Sequence, residues 1–369
     1  MKELALVFIR LGTTAFGGPA AHIAMMEDEF VRRRAWLTRE QFLDLVGASG
    51  LIPGPSSTEV AIYIGYRRAG WRGLLVAGGC FILPATLIVM AMAWAYLRFG
   101  ELPTAGGALY GIKAVIIAIV AQALVAFART AVKTKWLFAL GAVAAAANAL
   151  GVTPVVVLLA AGLLCMFART APRSDVAPIL AWPGALVIPT FGAAPFGLGK
   201  LFLIFLKIGA IVFGSGYVLL AFLRTDLVER THWLTEAQLI DAVAVGQFTP
   251  GPVFTTATFI GYLLAGAPGA IVATLGIFLP SFVLVSLSGP LIPRLRQSPI
   301  ASAFLDGVNV ASLALMAVVL VQLVHAAIVD MPTLLLAIAS TFVFFRWRIN
   351  SAWLVLGGGT IGALVHWGR

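Results

Sequence analysis

Long apolar stretches separated by short polar segments fill this chain from end to end. Each half opens with an apolar stretch (Leu4–Met26 or residues 200–223), followed by a charged segment and a second stretch (Gln41–Tyr66 or residues 237–264). Further apolar stretches cover residues 74–97, 107–128, 135–150, 153–168, 269–293, 303–328, 332–346 and 351–367. Because about 20 apolar residues cross a bilayer as a helix, the pattern predicts an all-α integral membrane protein.

The second stretch of each half is interrupted by the same tripeptide. It is Pro53, Gly54 and Pro55 in the first half, and Pro250, Gly251 and Pro252 in the second. Proline has no amide hydrogen and disfavours helix at the residue before it, so no helix runs through either tripeptide. Each segment is therefore a broken crossing helix or a re-entrant hairpin, and its backbone needs protein or water around it.

The chain is one unit written twice. Phe8–Pro55 aligns without a gap on Phe205–Pro252, with about a third of the positions identical, and "FIRLGTTAFGG" matches "FLKIGAIVFGS". After one deletion, "IGYRRAG" matches "IGYLLAG". We therefore predict an N-terminal repeat over residues 1–170, a linker rich in Pro and Gly over residues 171–199, and a C-terminal repeat over residues 200–369.

Loop charge predicts how these segments lie in the membrane. Arginines flank the first Pro-Gly-Pro segment on both sides, at residues 32–34 and 39 and at residues 67, 68 and 72. Basic loops favour the cytoplasm, so both flanks belong there and the segment is a re-entrant hairpin. Five crossings per half then follow, and an odd number inverts the second repeat. We expect about ten transmembrane helices, two inverted-topology repeats and two hairpins, with twelve crossings in parallel repeats as the alternative.

Composition narrows the classes of function. The 369 residues are 61% hydrophobic and 11% charged, with a net charge of +10. The basic residues lie in short loops rather than in a nucleic-acid-binding motif. The two cysteines and four scattered histidines show no metal-ligand spacing and no nucleophile–base pair is evident, so we predict no cofactor and no enzyme. The first stretch carries Arg10 and lacks a cleavage site, and we interpret it as mature protein rather than a signal peptide.

Hydroxyl side chains follow each Pro-Gly-Pro directly. Ser56, Ser57 and Thr58 open one half-helix, and Thr255 and Thr256 open the other. The first turn of a helix has unpaired amides and a partial positive charge, so these ends and the two tripeptides predict an oxyanion site. Helix capping is the alternative, because Ser56 and Glu59 form a capping-box pattern. Glu59, which has Thr256 at its repeat position, is a candidate proton carrier.

Two cations lie at equivalent depths in the first stretch of each half, Arg10 and Lys207. Cations at such depth are costly and usually functional, and a pair of them suits a divalent anion, whereas snorkelling to the interface is the alternative. Further along lie small residues that allow an unwound turn with free amides or close helix packing; they are Gly17, Gly18, Gly214 and Ser215. We include all of these residues in the predicted substrate site.

A family resemblance rests on these motifs. "FGGPAAHIAMMEDEFVRRRAWLTREQFLDLVGASGLIPGPSSTE" resembles the N-terminal signature of the chromate ion transporter (CHR) family, and "FGSGYVLLAFLRTDLVERTHWLTEAQLIDAVAVGQFTPGP" resembles its second copy. The resemblance covers essentially the whole chain in the long, two-domain form. It implies export of chromate across the bacterial inner membrane and resistance to chromate.

The direction of transport follows from charge. Each charge that crosses is worth about 2.3 kcal/mol per 100 mV, so a dianion leaving a negative-inside cell moves downhill. We expect a secondary transporter driven by the proton-motive force, with alternating access around the paired half-helix ends. The alternatives are a transporter of sulfate or another oxyanion, a carrier of lipid-linked phosphate, and a passive anion channel. The sequence leaves open whether the chain acts alone or as a homodimer.

Overall fold

The computed structural model describes residues 1–16, 18–100, 103–170, 196–213, 218–288, 298–347 and 351–367, and these residues form helices and connecting turns without a strand. The first half contains α1 (Lys2–Thr14), α2 (Gly18–Glu27), α3 (Arg39–Ser49), α4 (Ser56–Phe99), α5 (Pro103–Ala131), α6 (Lys135–Ala149) and α7 (Pro154–Thr170). The second half contains α8 (Leu198–Ile211), α9 (Leu219–Leu223), α10 (Glu236–Phe248), α11 (Thr256–Ser288), α12 (Pro299–Ala327), α13 (Met331–Trp347) and α14 (Ser351–Trp367). A π-helical turn follows α2 (Asp28–Arg33) and another follows α9 (Arg224–Arg230).

Both long helices, α4 and α11, turn back on themselves. Gly70 and Gly266 have φ of 59° and 60°, which favours glycine, and each interrupts its helix. A Cβ on Gly65 would collide with the carbonyl of Gly73, so the two arms of α4 lie against each other in opposite directions. Gly261 and Gly269 meet in the same way within α11. The turn at Gly70 lies between the predicted apolar stretches that end at Tyr66 and begin at residue 74, and the turn at Gly266 lies between those that end at residue 264 and begin at residue 269.

The Pro-Gly-Pro tripeptides are the tips of two helical hairpins. The first hairpin joins α3 to the first arm of α4 (residues 39–68), and the second joins α10 to the first arm of α11 (residues 236–264). The guanidinium of Arg68 lies 4.8 Å from the ring centre of Trp36, so the two ends of the first hairpin meet. Thr38 and Thr235 each begin the entering helix with a capping box.

The two halves are interleaved. In the first half α5 packs against α13 and α14, and in the second half α12 packs against α6 and α7. The helices approach closely at Gly111, where a Cβ would collide with the carbonyl of Gly358, and at Gly307, where it would collide with that of Ala161. One apolar core contains residues of both repeats. The two repeats are therefore distinct in sequence, but their helices pack into a shared core.

Length and composition qualify four helical segments for crossing a membrane within the described part of the chain. They are Ser56–Phe99, Gly106–Ala131, Val253–Ser288 and Pro299–Ala327, and four shorter apolar helices accompany them (Lys135–Ala149, Pro154–Arg169, Met331–Trp347 and Ser351–Val365). Leucine, phenylalanine and tryptophan side chains remain exposed along these helices, as lipid contact requires. The chain is therefore a multi-pass membrane protein; ten crossings and an inverted second repeat stay predictions.

Candidate functional site

Each Pro-Gly-Pro turn is hydrogen bonded to a break in the first helix of the other half. The amide of Gly54 donates to the carbonyl of Val212 (2.7 Å), and the amide of Gly251 donates to the carbonyl of Ala15 (2.8 Å). Ala15 and Val212 are the extended residues at which α1 and α8 end. All four positions are related by the repeat shift of 197 residues. Each half therefore holds the tip of its counterpart.

Only glycine fits either tip. Gly54 and Gly251 have φ of 137° and 93°, outside the range that other residues adopt readily. A Cβ on Gly54 would collide with the carboxylate of Glu59 and lie 2.5 Å from the hydroxyl of Ser281, and one on Gly251 would lie 2.6 Å from the Cβ of Ala85. The tip glycines let the backbone of each hairpin approach the long helix of the other half.

The hydroxyls that follow the two tips are buried and differ in their bonding. Thr255 and Thr256 donate to carbonyls of their own turn, those of Pro252 and Val253, at 2.8 Å each. Thr58 is buried and its hydroxyl has no hydrogen-bond partner among the described residues, whereas Ser57 contacts His22. The first half-helix thus presents a hydroxyl that no described residue bonds.

Glu59 does not cap its helix. The N-cap of α4 is Pro55, which makes no side-chain cap, so the capping-box alternative for Ser56 and Glu59 does not hold. Glu59 is 0% exposed, forms no ion pair with a described residue, and lies beside Ser281 at the Gly54 turn. One turn further along α4, the hydroxyl of Tyr63 lies 2.6 Å from that of Ser288. A buried carboxyl without a cation at membrane depth indicates a functional group.

His22 is a site residue that the sequence analysis did not select. Its ring is buried, with Nδ1 3.2 Å from the hydroxyl of Ser57 and Nε2 3.0 Å from the carbonyl of Ala15. That carbonyl also accepts the hydrogen bond from Gly251. His22 therefore links the first turn of one half-helix to the tip of the other hairpin. The signal was available: a histidine within an apolar stretch, where the repeat has Leu219.

The two deep cations have acidic partners, which the sequence analysis did not foresee. Arg10 forms an ion pair with Glu29, and Nζ of Lys207 lies 2.5 Å from a carboxylate oxygen of Asp226. Both pairs occupy equivalent positions, because the acids are also 197 residues apart. Each cation is therefore neutralised by an acid of its own half. The pairs tie α1 and α8 to the π-helical turns that follow the breaks.

Glu29 belongs to the charged segment after α2, outside the apolar stretches, and has a second partner. Nε of Arg34 donates to its carboxylate at 2.6 Å. Burial by itself would raise the pKa of Glu29, but the hydrogen bonds and charges of Arg34 and Arg10 outweigh burial and hold that pKa below its ordinary value. Glu29 is therefore a stable anion at neutral pH.

A further ion pair fastens the second hairpin to the first half. Nζ of Lys113 on α5 lies 3.0 Å from Asp241 on α10, and the hydroxyl of Tyr96 on α4 donates to the same carboxylate at 2.9 Å. The repeat has Asn309 in place of Lys113, so the cation of this ion pair is not duplicated at that position. The predicted site residues Gly17, Gly214 and Ser215 lie outside the described residues, whereas Gly18 begins α2 with φ of 79°.

Broken helices whose ends meet at buried polar groups inside a multi-pass bundle define a membrane-transporter class of protein. The family model for the chromate transporter matches residues 2–166 and 199–363, and the chain belongs to this family. Its members are transporters rather than enzymes. No solved structure matches this chain.

Curated relatives align over nearly the whole chain. A chromate transport protein of Cupriavidus metallidurans is 34% identical over 99% of this chain and 93% of its own length. A probable chromate transport protein of Synechococcus elongatus is 32% identical over 100% and 96%. A chromate transport protein of Pseudomonas aeruginosa is 30% identical over 98% and 92%.

Proposed function

We propose that this protein exports chromate across the bacterial inner membrane as a secondary transporter, with its oxyanion site between the two Pro-Gly-Pro turns. The observation that carries the proposal is the reciprocal bonding of Gly54 to Val212 and of Gly251 to Ala15. It joins both half-helix ends to the breaks of the opposite half, where a rocking motion of one repeat against the other would open the site alternately to each side.

The chemistry of the half-helix ends suits a tetrahedral oxyanion. First-turn amides provide donors and a partial positive charge. Ser57, Thr58, Thr255 and Thr256 add hydroxyls, and Thr58 lacks a partner among the described residues. The names of the curated relatives support chromate over sulfate as the oxyanion.

The ion pairs lead us to a different role for Arg10 and Lys207 from the one that the sequence predicted. A cation already neutralised by a carboxylate attracts an anion less, so we propose that both anchor the helix breaks beside the site. Direct contact between these cations and chromate stays a prediction of the sequence, and a double variant tests it below.

Charge also limits the proton coupling. A proton and an oxyanion attract, so a proton bound along with chromate travels in the same direction. Each such proton removes one charge from the transported complex, and the membrane potential drives export only while fewer than two protons accompany the dianion. Glu59 as the proton carrier stays a prediction, for which its burial without a cation is the support.

The test is efflux from liposomes that contain the purified protein and are preloaded with chromate. An inside-negative potential should drive saturable chromate efflux, which a reversed potential should suppress. Thr58→Val removes a hydroxyl that would bond a charged ligand, worth about 1.5–3 kcal/mol, and should lower efflux at subsaturating chromate by about ten- to a hundredfold. Thr341→Val, at a hydroxyl bonded within α13, is the matched control.

Three results would contradict the proposal. Flux that rises linearly with chromate and never saturates would indicate a channel. Efflux of sulfate without chromate would indicate another oxyanion transporter. Equal efflux by the Thr58→Val and Thr341→Val variants would move the binding site away from the first half-helix.

A further inference from the structure

The ring of His22 has two different hydrogen-bond partners, and they determine where its hydrogen lies. A carbonyl oxygen can only accept, so Nε2 must donate to Ala15. In the neutral ring Nδ1 is then the acceptor, and the hydroxyl of Ser57 donates to it. With its one hydrogen directed at the ring, Ser57 presents only lone pairs to anything else near the half-helix end, and lone pairs repel an oxyanion.

A proton on His22 reverses the bond to Ser57. Both ring nitrogens then donate, and Ser57 becomes the acceptor of the Nδ1 hydrogen. Its own hydroxyl hydrogen is released and is free to bond an oxyanion at the first turn of α4. The charged ring also adds a positive charge close to the site. Protonation of one buried side chain therefore changes Ser57 from a repelling group into a donor.

Apart from its two hydrogen-bond partners, the described groups around the imidazole of His22 are apolar or not bonded to it, so its hydrogen bond to Ser57 is its link to the proposed anion site. The edge of Phe81 packs against the imidazole, with ring centres 5.8 Å apart. Among the described residues, no charged side chain is bonded to the ring. Besides Glu27 on α2 itself, the ionisable groups on the elements that pack against α2 are Lys2, Glu3, Arg10, Asp28, Glu29, Arg32, Arg33, Arg39, Glu40, Asp44, Glu59, Tyr63, Tyr66, Arg67, Arg68, Arg72, Cys80, Tyr96 and Arg98. Arg10 and Glu29 neutralise each other, and Glu59 is bonded to neither ring nitrogen.

We infer that His22 binds the proton that accompanies the oxyanion, and that it transmits this proton to the site through Ser57. The inference rests on the proposed function and names a coupling residue for it. One proton on His22 leaves a net charge of −1 on the exported complex, which the membrane potential still drives outward. The repeat has Leu219 and Phe254 at the positions of His22 and Ser57, so this device belongs to the first half alone.

The test counts protons taken up when chromate binds to the purified protein in lipid nanodiscs. Binding heats in two buffers of different ionisation enthalpy give the count, after subtraction of chromate's own protonation in protein-free buffer. We expect the wild type to take up about one proton per bound chromate. Its affinity for chromate should fall by up to about tenfold for each unit by which the pH rises above the pKa of His22 in the unliganded protein.

His22→Gln keeps a donor for Ala15 and an acceptor for Ser57 but cannot be charged, so it imitates the neutral ring. We expect weak chromate binding, almost no proton uptake and an affinity independent of pH. His325→Gln is the matched control on α12 and should behave as wild type. Glu59→Gln tests the competing prediction that Glu59 carries the proton, and it should keep the uptake if His22 is the carrier.

The possible results separate the inference from the proposed function. Uptake that is kept in His22→Gln but lost in Glu59→Gln would overturn the inference and assign the proton to Glu59. Chromate binding by the wild type without proton uptake would also overturn it, while chromate transport would stand. If the wild type neither binds nor transports chromate, the proposed function itself fails.

Discussion

At the scale of residues, the two halves have equivalent tips and helix breaks but different chemistry beside them. The positions of His22, Ser57 and Glu59 are occupied in the repeat by Leu219, Phe254 and Thr256. At these positions the first half thus has two titratable groups and a hydroxyl, and the second half has apolar side chains and a hydroxyl bonded to its own turn. Duplication supplies two helix ends, and this divergence would confine the proposed proton chemistry to the first of them.

The ion pair between Lys207 and Asp226 gives a residue-scale prediction. Lys207→Met removes the closer partner of the buried Asp226 carboxylate and leaves it the longer contact with Arg230, at 3.6 Å. We therefore expect a cost of up to about 3–5 kcal/mol of unfolding free energy and loss of most of the chromate efflux. The double variant with Asp226→Asn removes both charges and should recover thermal stability and efflux together. Melting in detergent and liposome efflux measure the two. A double variant that is stable but inactive would show that Lys207 contacts the anion, as the sequence predicted.

At the scale of elements, the site depends on turns rather than on helices. The Pro-Gly-Pro tips separate α3 from α4 and α10 from α11, and the turns at Gly70 and Gly266 divide α4 and α11 into two arms each. Since the arms are held by close backbone contacts at glycines, their positions are sensitive to a single added methyl group.

The element-scale prediction compares two alanine substitutions in and beside α4. Gly54→Ala places a Cβ into Glu59 and Ser281 at a backbone angle unfavourable to alanine, a strain of about 1–3 kcal/mol before any clash. We expect a lower melting temperature and loss of efflux. Gly79→Ala points into open space within the same helix and should leave both unchanged or raise stability slightly. Equal behaviour of the two variants would mean that the tip is not closely packed.

At the scale of the whole molecule, the halves form one bundle through exchanged contacts. The packing of α5 on α14 and of α12 on α7 is reciprocal, as are the bonds between tips and breaks. A movement of one hairpin therefore acts directly on the first helix of the opposite half. This arrangement is suited to alternating access, in which one half must respond to the other.

The molecular-scale prediction concerns orientation in the membrane. Single cysteines at Arg72 and Ala267, in a chain whose Cys80 and Cys165 are replaced by alanine, mark the return turns of the two repeats. Inverted repeats predict that an impermeant thiol reagent labels Arg72→Cys from the cytoplasmic side and Ala267→Cys from the outside. Labelling of both from one side would support parallel repeats and contradict the inverted arrangement.

The chemistry of the site could be predicted only in part. Ser57, Thr58, Glu59 and the two tripeptides were selected because proline, glycine and hydroxyls in an apolar stretch stand out locally. The role of His22 is not evident from the sequence, because its partners, Ser57 and the carbonyl of Ala15, are distant in sequence or belong to the backbone. The pairing of Arg10 is not evident from the sequence, because Glu29 lies 19 residues away and only the path of the chain brings the two together.

The sequence by itself determined the helical membrane class, the duplicated unit and the two interrupted segments, because hydrophobic period, proline geometry and self-similarity are local properties of the chain. Tertiary structure decided which tip meets which break, which cations are paired and which titratable groups are buried. Those contacts join residues nearly two hundred positions apart, as Gly251 and Ala15 are, and no local preference specifies them. The packing of the interleaved halves specifies these contacts.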